Sequence, residues 1–417
     1  MGWNSYDAFG DSVTEAQVLM NAQAMQRNLL SYGYDTVVID YRWYDPGAHS
    51  SKLTDRAGAR LTADEYGRLL PALNRFPSAA GGQGFKPLAD RLHSMGLKFG
   101  IHVMRGIPRQ AVAANTPIEG SSFRAADAAN PASKCGWNPD MFGVFGAKPA
   151  GQAWYDSILR LYAGWGVDYI KVDDLSAPYS EAEVEAIRSA IDRCGRPILF
   201  SLSPGPTLTK HALHAEQHAN LWRISGDFWD RWEKLNHQFE LIAAWRDYGG
   251  PGHWIDADMI PFGHLSLNNH DGGPDHISRF TPDEETTLIT LWSLASSPLM
   301  LGMNLPDNDA LTQSIIANDE VLAVDQDALG QPARRVRQGA NGGEIWVKET
   351  IGGGKAVGFF NRGDSDATVV LQWPDAGLVG RQSVRDLWRH SSMGIFEGKI
   401  AMPVKPHGAV LLVLRPD

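Results

Sequence analysis

Two short stretches place acids and cations where they could do chemistry together. In "YIKVDD", residues 169–174, an apolar run carries Lys171 and then two adjacent carboxylates, Asp173 and Asp174. Side chains alternate across a strand, so Lys171 and Asp173 leave by one face and Asp174 by the other. A cation beside Asp173 lowers its pKa and keeps it ionised, which suits a nucleophile. In "LWRISGDFWD", Arg223 precedes Asp227 by four residues and shares its face if the strand runs that far. Asp227 stands at a looser strand end, where burial would raise its pKa. An ionised and a protonated carboxyl facing one bond are what glycoside hydrolysis requires.

Such groups need a frame that brings distant strand ends to one place. Strand-like runs occur at 36–43 (TVVIDYRW), 98–103, 169–174, 198–203, 221–225 and 253–259, with weaker ones at the N-terminus and at 293–301. Helical patterns lie between them, at 15–30, 86–95, 151–165, 180–193, 230–246 and 282–296. In the first, Val18, Ala22, Met25 and Leu29 share a face, and Ser12 with Glu15 reads as a capping box. Alternating α and β elements with continuous apolar strands predict a parallel sheet, and about eight such units suit an α/β (β/α)8 TIM barrel. A doubly wound sheet is the alternative, but no Gly-x-Gly-x-x-Gly follows a strand, so nucleotide binding lacks support. After about residue 330 the texture becomes short β runs parted by Gly, Asp and Asn turns, predicting a C-terminal antiparallel β-sandwich. The expected division is a catalytic barrel over 1–328 and a sandwich over 329–417.

In a barrel the C-terminal strand ends form the active face. Those ends carry Trp3, Asp40, His102, Asp173 with Asp174, Ser203, Asp227 and Asp258. Any single aspartate reads equally well as a helix cap. Caps, however, do not need Lys or Arg beside them. The strand-end acids are accompanied by cations, and no histidine pair is read at ligand spacing, so no metal and no cofactor is expected.

Composition narrows the classes further. The 417 residues hold 38 basic and 48 acidic side chains, a formal net charge of −10. That balance disfavours nucleic acid and anionic membranes as partners. There is no apolar run of spanning length. Cys135 and Cys194 make no metal pattern. The chain opens "MGWNSYDAFG" without a leader pattern, and a trimmed secreted protein would open the same way, so the compartment and any homo-oligomeric state stay undetermined.

Together the motifs resemble glycoside hydrolase family 27, the α-galactosidase group of the melibiase clan. "MGWNSY" is similar to the family's Gly-Trp-Asn-Ser opening, "YIKVDD" to its fourth-strand Lys-x-Asp motif, and "WRISGDFWD" to its sixth-strand Arg-x-x-x-Asp motif. "WIDADMIPFG", "FTPDEETTLITLWSLASSPLMLGMNL" and "NDEVLAVDQDALGQ" resemble later segments, so the likeness runs nearly end to end. It implies a retaining exo-glycosidase that acts on terminal α-galactoside-type residues of an oligosaccharide or polysaccharide. Asp173 would be the nucleophile and Asp227 the acid/base. Trp3 would pack on the sugar face, Lys171 would hold ring hydroxyls, and Arg223 and Asp258 would bind hydroxyls or orient the acid.

The sequence departs from the galactosidase pattern at the sugar-binding positions. Galactose-specific members place two adjacent aspartates after the second strand; here Asp40 matches the first and Tyr41 replaces the second. Ser203 and Pro204 are smaller than the usual residues beside the sugar's 2-position, and His102 stands where Tyr is common. Arg105 would meet an anionic substituent or form a salt bridge. Leu175 takes the place of a frequent cysteine, so its bridge to the Cys135 position is expected to be absent. The departures leave α-N-acetylgalactosaminide, β-L-arabinopyranoside and isomalto-type α-glucoside as alternative substrates. A non-catalytic sugar-binding relative and a transglycosylase are the competing classes.

Overall fold

The computed structural model describes residues 1–49, 58–268, 272–339 and 341–417. Eight short strands form one curled parallel sheet. They are β1 (Gly2–Asn4), β2 (Thr36–Ile39), β3 (Lys98–Met104), β4 (Tyr169–Asp173), β5 (Leu199–Leu202), β6 (Leu221–Arg223), β7 (Trp254–Asp256) and β8 (Met300–Leu301). The chain resolves into two compact units. The first comprises Met1–Asp227, Met259–Ile277 and Met300–Asp307; the second comprises Phe228–Asp258, Ser278–Leu299 and Asn308–Asp417.

In the first unit the strand order is β6-β5-β4-β3-β2-β1-β8, every neighbour parallel. Just past β7 the chain re-enters this unit. There Ile260 bridges Leu301 of β8, its N–H donating to the Met300 carbonyl at 2.8 Å. The sheet therefore curls on itself, and the fold is a (β/α)8 barrel. Helices α1 (Glu15–Asn28), α2 (Lys86–Ser94), α3 (Pro149–Trp165), α4 (Glu181–Arg193) and α5 (Ala212–His218) follow successive strands. The capping box of α1 is built two residues later than expected, by Thr14 and Gln17. Ser12 lies in a 3-10 turn and donates its hydroxyl to the Phe9 carbonyl instead.

One excursion has no counterpart among the expected strands. Between β3 and β4 the chain forms a three-stranded antiparallel sheet from Ile107–Pro108, Ala129–Lys134 and Met141–Val144. Gly106 makes the entry, at φ +101°, where a Cβ would lie 1.9 Å from the Phe142 carbonyl oxygen. Only a glycine fits that approach.

The second unit holds α6 (Trp232–Trp245), α7 (Pro282–Ala295) and the C-terminal antiparallel sheets. Six strands run in the order β9-β10-β11-β16-β13-β14. These are Arg334–Gln338, Gly343–Glu349, Lys355–Asn361, Ala409–Pro416, Arg381–Asp386 and Ser391–Glu397. Strands β12 (Ala367–Gln372) and β15 (Lys399–Val404) pair separately, and Val357, Phe359, Leu371, Trp373, Met402 and Leu412 fill the sandwich core. No described helix is long and apolar enough to cross a membrane.

Candidate active site

The acids read from the strand ends sit at those ends, and register decides which of them meet. His102 on β3 is paired in register with Lys171 on β4, and β2 flanks β3 on its other side. In-register residues of parallel neighbours project from the same face, so Asp40, His102 and Lys171 form one inward layer. Lys171 reaches past β3 to place its ammonium 2.9 Å from Asp40 Oδ2. Asn4 donates to the same oxygen at 2.7 Å, and the Tyr41 N–H donates to Oδ1 at 2.8 Å. These cationic and neutral donors hold Asp40 below the ordinary carboxylate range although burial pushes the other way.

Asp173 is the second anion of the layer. Burial would raise its pKa, but the Lys171 ammonium and then His102 outweigh burial and hold the group well below the usual carboxylate range. His102 Nε2 lies 2.9 Å from Asp173 Oδ2. Because the carboxylate can only accept, Nε2 carries the hydrogen. Oδ1 of Asp173 is buried, and the Ser203 side chain is a further, smaller cause of the lowered pKa. An ionised carboxylate oriented by a donor is a competent nucleophile. Alternation along β4 agrees: Ile170 and Val172 are buried while Lys171 and Asp173 are half-buried.

Asp227 lies four residues past the end of β6, and Arg223 Nη2 approaches its Oδ1 at 3.4 Å. The side chain is 63% exposed, which corrects the expectation that protein burial tunes it. The strand stops at Arg223, so the acid stands in the turn that follows it.

Trp3 departs from its expected role. It is fully buried, and its indole N–H donates to the Met303 carbonyl at 2.6 Å, so no face is left for a sugar. Tyr41 is also buried. Its hydroxyl accepts from Asn138 Nδ2, and its ring meets His102 edge-on at 5.4 Å and Trp137 at 5.8 Å. Ser203, directly after β5, keeps a buried hydroxyl without a hydrogen-bond partner among the described residues. Asp258 belongs to the second unit. There it takes a left-handed conformation (φ +85°) and accepts the Phe228 N–H at 2.8 Å.

Arg105 proves to be a structural cation. It bonds Asp174 Oδ2 through Nε and Nη2 at 3.0 and 2.6 Å, and Glu183 through Nη1. Asp174 thus points away from the face that carries Lys171 and Asp173, as strand parity requires. Both cysteines are free, and the Cys135 thiol is pushed up to about 12 by burial and then by Asp174.

Sequence reasoning missed Trp137, Asn138 and Asp140. Asn138 and Asp140 lock Tyr41 and Arg42 through a buried cluster in which Arg42 Nε meets Asp140 at 3.2 Å. Two aromatic-polar residues beside a "GWNPD" turn were the available signal. The reading that no histidine pair has ligand spacing also fails. His214 and His218 stand four apart on α5 and converge with Glu185. On a helix that interval puts both rings on one face.

A (β/α)8 barrel with paired carboxylates at its strand ends and a C-terminal β-sandwich defines a class of glycoside hydrolases. Comparison with known proteins agrees. The α-galactosidase A family model matches residues 142–327, and the α-galactosidase C-terminal β-sandwich model matches 340–414. The chain is 47% identical to a family 27 β-L-arabinopyranosidase from Geobacillus stearothermophilus, covering 100% of this chain and 97% of that one at a TM-score of 0.97. It is 41% identical to a putative α-N-acetylgalactosaminidase from Bacillus halodurans, with 100% and 97% covered and a TM-score of 0.90. It is 30% identical over 422 residues to an α-galactosidase of Cyamopsis tetragonoloba, covering 100% of this chain and 86% of the relative. The chain belongs to glycoside hydrolase family 27. It is a glycoside hydrolase, and its substrate is a carbohydrate.

Proposed function

We propose that the enzyme is a retaining exo-glycosidase whose preferred sugar is a β-L-arabinopyranoside, the galacto-configured ring without its C6 hydroxymethyl group. The observation that carries the sugar assignment is Tyr41. Where galactosidases offer a second carboxylate to the sugar's hydroxyls, this chain presents a buried phenol. Its oxygen is engaged by Asn138 and its ring is wedged between His102 and Trp137. A wall of this kind suits a ring with nothing to bond beyond C5, and the Geobacillus relative carries that activity.

In the reaction, Asp173 attacks the anomeric carbon as Asp227 gives its proton to the departing glycosidic oxygen. A glycosyl-aspartate forms and the aglycone leaves as an alcohol. Asp227, now ionised, takes a proton from water, which attacks the same carbon and returns Asp173 as a carboxylate. Retention requires the two carboxyls to be about 5–5.5 Å apart. Lys171 and Asp40 are placed to bind ring hydroxyls. A bound sugar would cover Asp227, which stands 63% exposed in the open site.

The test is a comparison of aryl β-L-arabinopyranoside with aryl α-D-galactoside. The pentoside is expected to lead in kcat/KM by at least about tenfold, the scale on which a pocket excludes one extra carbon. Asp173→Asn should abolish both activities, and the first-formed product should keep the anomeric configuration by NMR. A galactoside preference would overturn the sugar assignment alone. An inverted product, or an active Asp173→Asn, would overturn the mechanism.

A further inference from the structure

Helices α4 and α5 carry a group of side chains that the glycosidase reaction does not use. His214 and His218 lie on one face of α5, and Glu185 comes from α4. One donor atom from each lies within 4.8 Å of the others. His214 Nε2 and Glu185 Oε1 are already 3.4 Å apart. Two donors on a tetrahedral zinc ion, each at 2.0–2.2 Å, are separated by about 3.4 Å.

The remaining ring nitrogens are occupied in the way such a centre needs. His214 Nδ1 is 2.9 Å from the Tyr179 hydroxyl, and His218 Nδ1 is 2.8 Å from the His214 carbonyl oxygen. A carbonyl only accepts, so His218 carries its hydrogen on Nδ1 and presents a lone pair at Nε2. Tyr179 can accept from His214 Nδ1 in the same sense, and it is held in place by stacking on His211 at 4.3 Å. The two imidazoles lie side by side, centroids 4.2 Å apart, so their Nε2 atoms reach toward the same space. Metal-bound histidines almost always donate their other N–H to such a partner, which fixes both tautomer and ring orientation.

We infer that His214, His218 and Glu185 form a site for a divalent transition metal of the zinc type, on the outside of the barrel. Imidazole donors favour zinc, nickel or copper over magnesium or calcium. Three protein ligands leave a fourth position to water. The ion would tie α4 to α5 and, through Tyr179, steady the loop that follows Asp173 and Asp174.

The experiment is a zinc titration of the chelator-stripped full-length chain by calorimetry, with cobalt absorption as a second readout. One equivalent of zinc is expected, with visible cobalt bands of a low-coordinate site and a melting temperature raised by a few degrees in excess zinc. His214→Ala with His218→Gln should weaken zinc binding at least tenfold and remove the cobalt bands. Tyr179→Phe should weaken it by about tenfold, the usual effect of losing an orienting partner. Hydrolysis of an aryl glycoside should be the same in stripped and loaded enzyme. Substoichiometric uptake at tenfold excess zinc, or equal uptake by the double variant, would overturn the site.

Discussion

At the scale of single residues, the proposed mechanism rests on how Asp173 is kept anionic. Lys171 sets the charge of the layer while bonding Asp40, and His102 orients one oxygen. Lys171→Met removes the largest charge that opposes burial of Asp173. The carboxyl pKa must then rise, and the acid limb of kcat/KM must move toward neutral pH. Below that limb Asp173 is protonated and cannot attack. We expect a loss of about a hundredfold or more in kcat/KM at neutral pH, the range typical of a removed electrostatic partner. A pH–rate profile checks it: an unmoved acid limb would show that Lys171 acts only in binding. The same depression has a stability counterpart. A carboxylate with a folded pKa below its unfolded value near 3.9 adds stability above that value and loses it as pH falls through the lower one. The pairing of Lys171 and Asp173 on one face was legible, because strand parity is local. That Lys171 would bond Asp40, that His102 would bond Asp173, and that Trp3 would be covered were not. Each depends on strands far apart in sequence being aligned to one residue.

At the scale of elements, the catalytic strand ends depend on what braces them. Asp173 ends β4, and the next residue, Asp174, takes a left-handed conformation (φ +66°) and is tied to Arg105 after β3. Arg105 also engages Glu183 in the first turn of α4, and Tyr155 of α3 donates to the same Glu183 carboxylate. All four are buried, so the guanidinium balances two carboxylates in a low-dielectric setting. Arg105→Met would strand both charges. The expected cost is about 3–5 kcal/mol, the range for breaking a buried pair by removing one partner. Arg105→Lys should recover only part of it, since an ammonium cannot hold both acids with a planar fork. Urea denaturation of the two variants against the parent measures this, and a loss below about 1 kcal/mol for Arg105→Met would contradict the brace. The barrel strands and helices were readable from their hydrophobic period, but this bracing was not. It reaches the excursion of residues 107–144, where Ser133 accepts from Arg105 at 2.9 Å and the Val144 N–H donates to Glu183 at 3.2 Å, and the strands of that excursion are short and irregular. The strand candidate at 293–301 is shortened for a related reason. The helical pattern of α7 runs on to Ala295 and ends at Ser296 in a left-handed cap, so only Met300–Leu301 remains as strand.

At the scale of the whole molecule, the second unit binds barrel helices to the C-terminal strands. Phe239 of α6 meets Phe360 of β11 edge-on at 5.0 Å and Trp346 of β10 at 6.1 Å. Gly358 lies so close to α7 that a Cβ there would come within 2.5 Å of Leu294 Cδ1. The buried Lys348 donates to the Ser293 carbonyl at 2.9 Å, capping α7, and to the Val324 carbonyl at 2.7 Å. Trp388 donates to Thr290 at 2.9 Å, and Trp232 stacks on His407 at 3.8 Å. The strands therefore supply the apolar face on which α6 and α7 rest. A chain ending at residue 328 would uncover Phe239 and Leu294 and leave the α7 carbonyls without Lys348. Burying a side chain of that size is worth about 1.5–3 kcal/mol, so uncovering the two forfeits about 3–6 kcal/mol, a large share of the 5–15 kcal/mol that holds a typical domain. We expect residues 1–328 alone to be insoluble, or to bind a hydrophobic dye and melt without a cooperative transition, and to hydrolyse no aryl glycoside. Purified 1–328 that melts cooperatively near the parent's temperature would show instead that the barrel stands alone and that the sandwich is an appendage.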